Sequence, residues 1–80
     1  MEKVVLAVEQ ALTTKKFEGE KSRVSIDGFR INFSNAWLLI RPSGTEPKIR
    51  IMSDSSNDDY AKDLLRQGNE FVSEIVKKFQ

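Results

Sequence analysis

The chain has 80 residues, of which 39% are hydrophobic and 31% charged, and it contains neither Cys nor His. This composition excludes a disulfide, a Cys/His zinc site and any nucleophile pair that needs His or Cys. We interpret residues 1–80 as a single small domain, too short for a cleft that encloses a substrate. A net charge of +1 argues against general binding to nucleic acid or membranes.

The first predicted element is a helix over about Glu2–Phe17. Hydrophobic side chains recur there at steps of three and four residues, as they do on one face of an amphipathic helix. They are Val4, Val5, Val8, Ala11 and Leu12. Lys15 and Lys16 suit the negative end of the helix dipole, and Gly19 is a plausible stop signal.

The middle of the chain, about Arg23–Ser53, has the apolar alternation of antiparallel strands. Asp27–Gly28 separates two alternating runs and predicts a hairpin with a two-residue type I′ turn. Ser34–Asn35 predicts a second turn. Trp37–Ile40 is apolar throughout, which predicts a strand that is central or buried on both faces, with its tryptophan in the core.

A second helix is predicted over about Asn57–Phe79. Ser56 and Asp59 resemble a capping box at its start, and Asp58 suits the positive end of the helix dipole. Its apolar face comprises Leu64, Phe71, Val72, Ile75 and Phe79. Gly68 at mid-helix costs about 1 kcal/mol relative to Ala and therefore indicates close packing against the sheet. The elements together predict an α+β fold with helices on one face of an antiparallel sheet.

The most informative segment is Arg41–Pro47, which reads Arg-Pro-Ser-Gly-Thr-Glu-Pro. Gly44 can adopt positive φ and turn successive backbone N–H groups into one anion-binding concavity. Ser43 and Thr45 add hydroxyl donors, and Arg41 adds a guanidinium that matches two phosphate oxygens. The pattern predicts a phosphate-binding site, and an ordinary surface turn is the alternative on composition alone.

Other side chains near this segment are weaker candidates. Arg50 lies on the following strand, on the opposite face from Ile49 and Ile51, and could be a second cation for the phosphate. Asp58–Asp59 is interpreted as a partner of the helix dipole and not as a metal ligand. No metal ligand and no catalytic residue is assigned in the chain.

The run from Trp37 to Ile51, WLLIRPSGTEPKIRI, closely resembles the C-terminal signature of the α-D-phosphohexomutases. This superfamily includes phosphoglucomutase, phosphomannomutase, phosphoglucosamine mutase and phosphoacetylglucosamine mutase. Ile26–Ile31 is similar to the family's strand, Asp-Gly, strand hairpin, and the likeness covers about Val24–Ile51. Met52–Ser56 departs from the family's usual continuation, which leaves the subfamily open.

The resemblance implies the fourth and last domain of such an enzyme, a mainly antiparallel four-stranded sheet with two helices on one face, like the TATA-binding protein. It implies that Arg41, Ser43, Gly44 and Thr45 bind the substrate phosphate that is not being transferred. In the assembled enzyme Glu46 is a candidate contact to a sugar hydroxyl, with solvation of the loop as its alternative. The enzyme would carry out intramolecular phosphotransfer on a hexose phosphate through a bisphosphate. The phosphate-donating serine, the magnesium loop and the sugar-selecting loop would lie in the other three domains, so this chain alone would be inactive.

We therefore expect a cytoplasmic domain whose partners are a hexose phosphate and the other three domains of a parent mutase, not nucleic acid or a membrane. The domain itself is expected to bind no cofactor, although Mg²⁺ is implied for the full-length enzyme. Two alternatives stay open at this point. One is a free-standing nucleic-acid module of the same fold, which the basic stretch Phe29–Arg50 would allow, and the other is a protein-interaction module.

Overall fold

The computed structural model describes residues 2–25, 28–42 and 49–78. In these ranges the chain forms a helix, four strands and a second helix in that order. The bounds are α1 Glu2–Thr14, β1 Ser22–Val24, β2 Phe29–Phe33, β3 Ala36–Pro42, β4 Ile49–Ser55 and α2 Asp58–Lys77.

The four strands form one sheet in which each strand pairs antiparallel with the next along the chain. Ile31 of β2 lies opposite Leu38 of β3, and Ile40 of β3 lies opposite Ile51 of β4. Because side chains alternate along a strand, these four residues share one face of the sheet, here called the helix face. The predicted α+β fold with an antiparallel sheet is confirmed, and β3 is an inner strand as expected.

A single hydrophobic core lies between the helix face and the two helices. Val8 and Leu12 of α1 and Leu64 of α2 are completely buried in it. The other core residues are Phe17, Ile31, Phe33, Ala36, Leu38, Ile40, Val72 and Ile75. The likeness to the TATA-binding protein stays a prediction. Within the described residues, no helix is both long enough and apolar enough to cross a membrane.

The two predicted turns of the sheet have different outcomes. Ser34–Asn35 forms the expected two-residue turn, and its asparagine adopts a φ of 56°, which this residue type tolerates. Between β1 and β2, Val24 pairs antiparallel with Arg30, which confirms the predicted hairpin. Asp27 lies outside the described residues, so the type I′ turn at Asp27–Gly28 stays a prediction.

An arginine from the sheet holds the C-terminal end of α1. The guanidinium of Arg23 donates hydrogen bonds to the carbonyl oxygens of Leu12 and Lys15, the second at 2.6 Å. It also donates to both carboxylate oxygens of Glu20, at 2.6 and 2.7 Å. The last carbonyls of a helix have no partner within the helix, so Arg23 satisfies groups that would otherwise stay unpaired.

This contact explains why α1 ends before the predicted Phe17. Phe17 leaves the helix and enters the core, where its ring meets that of Phe71 edge to face at a centroid distance of 5.8 Å. Lys15 and Lys16 follow the helix and lie outside its last turn. Their predicted interaction with the negative end of the helix stays a prediction, and Arg23 donates directly to carbonyl oxygens at that end.

The start of α2 also differs from the prediction by one residue. Asn57 is the N-cap, and its side-chain oxygen accepts a hydrogen bond of 3.1 Å from the backbone N–H of Tyr60. The predicted capping box of Ser56 and Asp59 was therefore wrong, because asparagine is a strong N-cap residue one position further on. Tyr60, in the first turn of α2, packs edge to face against Phe33.

Gly68 allows α2 to approach the sheet closely. A Cβ atom at this position would lie 2.9 Å from Cγ2 of Ile51 and 3.1 Å from Cδ1 of Leu38. About two turns nearer the N-terminus of α2, the hydroxyl of Ser53 donates a 2.6 Å hydrogen bond to the carbonyl of Ala61. The prediction that Gly68 marks close packing is confirmed.

Replacing Gly68 tests this packing. We expect Gly68→Ala to lower the free energy of unfolding by about 1 kcal/mol, because crowding against Leu38 and Ile51 outweighs the better helix propensity of alanine. Ser73→Ala, at an exposed position of the same helix, should change it by less than about 0.5 kcal/mol. Urea unfolding followed by circular dichroism measures both, and a Gly68→Ala variant more stable than the wild type would contradict the packing argument.

The ion pair at the end of α1 predicts how stability depends on pH. The hydrogen bond from Arg23 lowers the pKa of Glu20, helped by a 3.1 Å hydrogen bond from the backbone N–H of Phe17. A carboxyl whose pKa is lower in the folded state stabilises the fold above its unfolded pKa, near 4.5, and loses that contribution as pH falls through the folded value.

Urea unfolding between pH 7 and pH 3 should therefore show a smaller loss of stability in Glu20→Gln than in the wild type. At pH 7 the same variant should be less stable by about 1–2 kcal/mol, since it loses a charge-assisted hydrogen bond. Glu18→Gln, at an exposed position nearby, is the control and should match the wild type at pH 7. Equal pH dependence in Glu20→Gln and the wild type would refute the role given to this carboxylate.

Candidate functional site

The face of the sheet opposite to the helices carries most of the polar strand residues. We call it the open face, because within the described ranges no helix covers it. Val24 and Met52, each 45% exposed, are its most exposed apolar side chains. The open face consists of Ser22, Val24, Arg30, Asn32, Trp37, Leu39, Arg41, Arg50, Met52 and Asp54.

Two arginines lie side by side at one end of the open face. Arg41 of β3 pairs directly with Arg50 of β4, and both residues are exposed. In an antiparallel pair the Cβ atoms of directly opposed residues are about 4.5–5.5 Å apart. β3 ends at Pro42 and β4 begins at Ile49, so the two arginines flank the segment 43–48 that connects the strands. One anion placed beside this segment could therefore contact both guanidinium groups.

The arrangement of the other arginines contrasts with this pair. Arg23 is bonded to Glu20, and Arg66 is bonded to Asp63 and Glu70. Among the described residues, no carboxylate lies within ion-pair distance of the two arginines at the corner of the open face. Like charges directly opposite each other destabilise a sheet, and a bound anion would remove that cost.

Arg30 also lies on the open face but is engaged elsewhere. Its guanidinium carbon lies 5.0 Å from the centre of the Trp37 ring, and its Nε donates a 3.2 Å hydrogen bond to Oδ1 of Asn32. Trp37 is half-buried on the open face, so its predicted place in the core was wrong. Alternation along β3 gives the core positions to Ala36 and Leu38 instead.

The structure describes two of the predicted phosphate-binding residues and brings them together. Arg41 was predicted from its place in the motif, and the weaker candidate Arg50 lies directly opposite it on the neighbouring strand. The remaining candidates lie outside the described residues, so their contacts stay predictions. They are Ser43, Gly44, Thr45 and Glu46.

Gly28 is a residue of this corner that sequence reasoning assigned only to a turn. It precedes Phe29, which pairs with Ile40, and it therefore comes opposite Arg41. Its φ is +118°, and a Cβ atom would lie 3.0 Å from Cα and Cβ of Arg41 and from the carbonyl oxygen of Ile40. The signal in the sequence was a glycine placed immediately before a strand that pairs with the motif strand.

The described residues offer no assembled metal site. Across residues 2–25, 28–42 and 49–78, no three acidic side chains come together. Asp58 and Asp59 lie in the first turn of α2, where negative charge interacts favourably with the helix N-terminus.

A small antiparallel sheet with two helices on one face defines an α+β domain, and its other face carries a pair of opposed arginines. Residues 2–70 match the family model described as phosphoglucomutase/phosphomannomutase, C-terminal domain. The chain belongs to this family of C-terminal domains. The resemblance inferred from the Trp37–Ile51 signature is thereby confirmed.

The chain is similar to phosphoglucosamine mutases from archaea. It is 36% identical over 75 residues to a probable phosphoglucosamine mutase of Methanosphaera stadtmanae, a match that covers 92% of the chain and 17% of that protein. It is 50% identical over 52 residues to the phosphoglucosamine mutase of Methanocaldococcus jannaschii, covering 65% of the chain and 12% of the relative. It is 44% identical over 64 residues to a probable phosphoglucosamine mutase of Thermococcus gammatolerans, a match that covers 80% of the chain and 14% of that protein. The chain thus spans less than a fifth of each relative.

The opposed arginines predict that removing one of them stabilises the fold. At low ionic strength we expect Arg50→Gln to raise the free energy of unfolding by about 0.2–1 kcal/mol, because it removes repulsion from Arg41. The gain should shrink in high salt, which screens exposed charges. Arg66→Gln is the control and should lower the free energy of unfolding, since it breaks ion pairs of 2.6 and 2.9 Å with Asp63 and Glu70. Urea unfolding at low and high salt measures both, and loss of stability in Arg50→Gln would argue against repulsion at this corner.

Proposed function

We propose that this domain binds the phosphate group of a hexose phosphate substrate for a parent phosphohexomutase. The site would consist of Arg41 and Arg50 together with Ser43, Gly44 and Thr45. The observation that carries the proposal is the direct pairing of Arg41 with Arg50 at the ends of the two strands that flank segment 43–48. The family match supports the same role.

The chemistry of the residues fits a phosphate monoester. Such a group carries about −1.5 to −2 charges near neutral pH, and a single exposed arginine holds it weakly because water screens the attraction. Two neighbouring guanidinium groups offset most of that charge and can each donate two parallel hydrogen bonds. Hydroxyl groups at positions 43 and 45 and backbone N–H groups around Gly44 would add directed donors.

These donors would contact the phosphate and leave the sugar hydroxyls to other residues. A site of this kind can hold either end of a hexose bisphosphate, as a mutase requires when its intermediate reverses orientation. Glu46 is the one residue of the segment proposed to contact the sugar. Closure of the domain over the substrate would expel water from the site and strengthen each of these contacts.

The catalytic steps are proposed to take place on other domains of the parent enzyme. This chain supplies no catalytic residue, and we expect it to be inactive on its own. Mg²⁺, where the parent enzyme needs it, is proposed to be held outside this domain. The partners are then the other three domains and a hexose phosphate, in the cytoplasm. Glucosamine phosphate is the first substrate to test, because the relatives are phosphoglucosamine mutases.

Titration of the ¹⁵N-labelled chain with glucosamine 6-phosphate tests the proposal. We expect binding of about millimolar strength, roughly −4 kcal/mol, with shifts at residues 43–45 and at the Nε–H groups of Arg41 and Arg50. Glucose 6-phosphate should bind within about threefold of the same affinity, because the contacts are to the phosphate. Shifts confined to Lys15 and Lys16 would contradict the placement, and preferential binding of single-stranded DNA over the sugar phosphate would favour the nucleic-acid alternative.

The open face provides a matched control for this titration. Arg41→Gln and Arg50→Gln should each weaken binding of glucosamine 6-phosphate by about tenfold, which corresponds to the loss of one charge-assisted contact. Arg30→Gln removes the same charge from the same face, but Arg30 is occupied with Trp37 and should be dispensable. Equal weakening in all three variants would show a diffuse charge effect in place of a defined site.

A further inference from the structure

Gly28, immediately before β2, lies in one row with Arg41 of β3 and Arg50 of β4. Arg41 pairs with Arg50, and Gly28 follows from the Phe29–Ile40 pair as the neighbour of Arg41 on its other side. The arginine of β3 therefore has a second arginine on one side and a residue without a side chain on the other.

The space beside Arg41 could take a methyl group only if neighbouring atoms shifted by a few tenths of an ångström. A Cβ atom at position 28 would lie 3.0 Å from Cα and Cβ of Arg41 and 3.0 Å from the carbonyl oxygen of Ile40. Two of these three atoms belong to the backbone of β3 and cannot move aside as the end of a flexible side chain can. Relief of the contact would have to displace the end of β3, and the Arg41 side chain would move with it.

We infer that Gly28 is a positioning residue for the phosphate site, because it lets β2 lie close enough to β3 to fix Arg41 in line with Arg50. The inference rests on the proposed function. Two guanidinium groups that share one phosphate must be placed within a few tenths of an ångström, since each presents its donors in a rigid fork. Gly28 would contribute this placement through the backbone without contacting the phosphate.

A second glycine separates this role from backbone strain alone. Gly19 also has a positive φ, +84°, but the nearest atoms to a Cβ there are the hydroxyl of Tyr60 at 3.7 Å and Cδ2 of Phe33 at 3.8 Å. These are ordinary van der Waals distances, and Gly19 lies before β1, outside the row of Gly28 and Arg41. An alanine at either position is destabilised by its positive φ, but only an alanine at position 28 crowds Arg41.

The test compares Gly28→Ala, Gly19→Ala and the wild type by titration with glucosamine 6-phosphate and by thermal unfolding. Both variants should unfold at a lower temperature than the wild type. Only Gly28→Ala should weaken binding, by about tenfold, with a changed Nε–H resonance of Arg41 before ligand is added. In an Arg41→Gln background, Gly28→Ala should weaken binding by less than twofold further, because its effect passes through Arg41.

The inference is overturned if Gly28→Ala binds within twofold of the wild type, or if Gly19→Ala weakens binding as much. A wild-type chain without any phosphate response at Arg41 and Arg50 would instead reject the proposed function. If Gly28→Ala does not fold, the wild type still decides the matter. The backbone amide of Gly28 should then shift on titration with the same midpoint as the Nε–H of Arg41, and an unperturbed Gly28 amide would overturn the inference.

Discussion

The register between β3 and β4 places Ile40 opposite Ile51 on the helix face and, one residue further on, Arg41 opposite Arg50 on the open face. Both consequences follow from one pairing, because side chains alternate along each strand. A slip by one residue would send the isoleucine of β4 to solvent and its arginine into the core. The burial of the isoleucine side chains thus stabilises the alignment of the charged corner, and the site is specified by the core beneath it.

Contacts between the helices and the sheet stabilise this register from the helix face. Gly68 lets α2 lie close against Leu38 and against Ile51, which is one of the two paired isoleucines. Ser53 bonds the end of β4 to the same helix. Arg23 fixes the end of α1 over the sheet. A chain with no disulfide can therefore hold two like charges together at one corner, since the repulsion between exposed charges is small beside the burial of the core.

The sequence was sufficient to predict the helices, the strands and the phosphate-binding motif. It was insufficient to predict contacts between elements. The apolar alternation predicted the antiparallel sheet, and the motif predicted Arg41 as a site residue. Trp37 was placed wrongly because an uninterrupted apolar run does not show which of its residues faces the helices. The capping of α1 by Arg23 and the contact of Gly28 with Arg41 were missed because each joins residues far apart in sequence. Neither contact has a local pattern.

The absence of His and Cys from the sequence is consistent with a site whose work is done by permanently charged groups. A guanidinium stays protonated at any physiological pH, so an arginine pair needs no neighbour to tune its ionisation. Any pH dependence of phosphate binding would then come from the second ionisation of the phosphate, near pH 6. Under the proposed function, a domain that holds either phosphate of a bisphosphate would benefit from this, because the contribution of Arg41 and Arg50 to affinity would depend on their geometry and on the charge of the ligand.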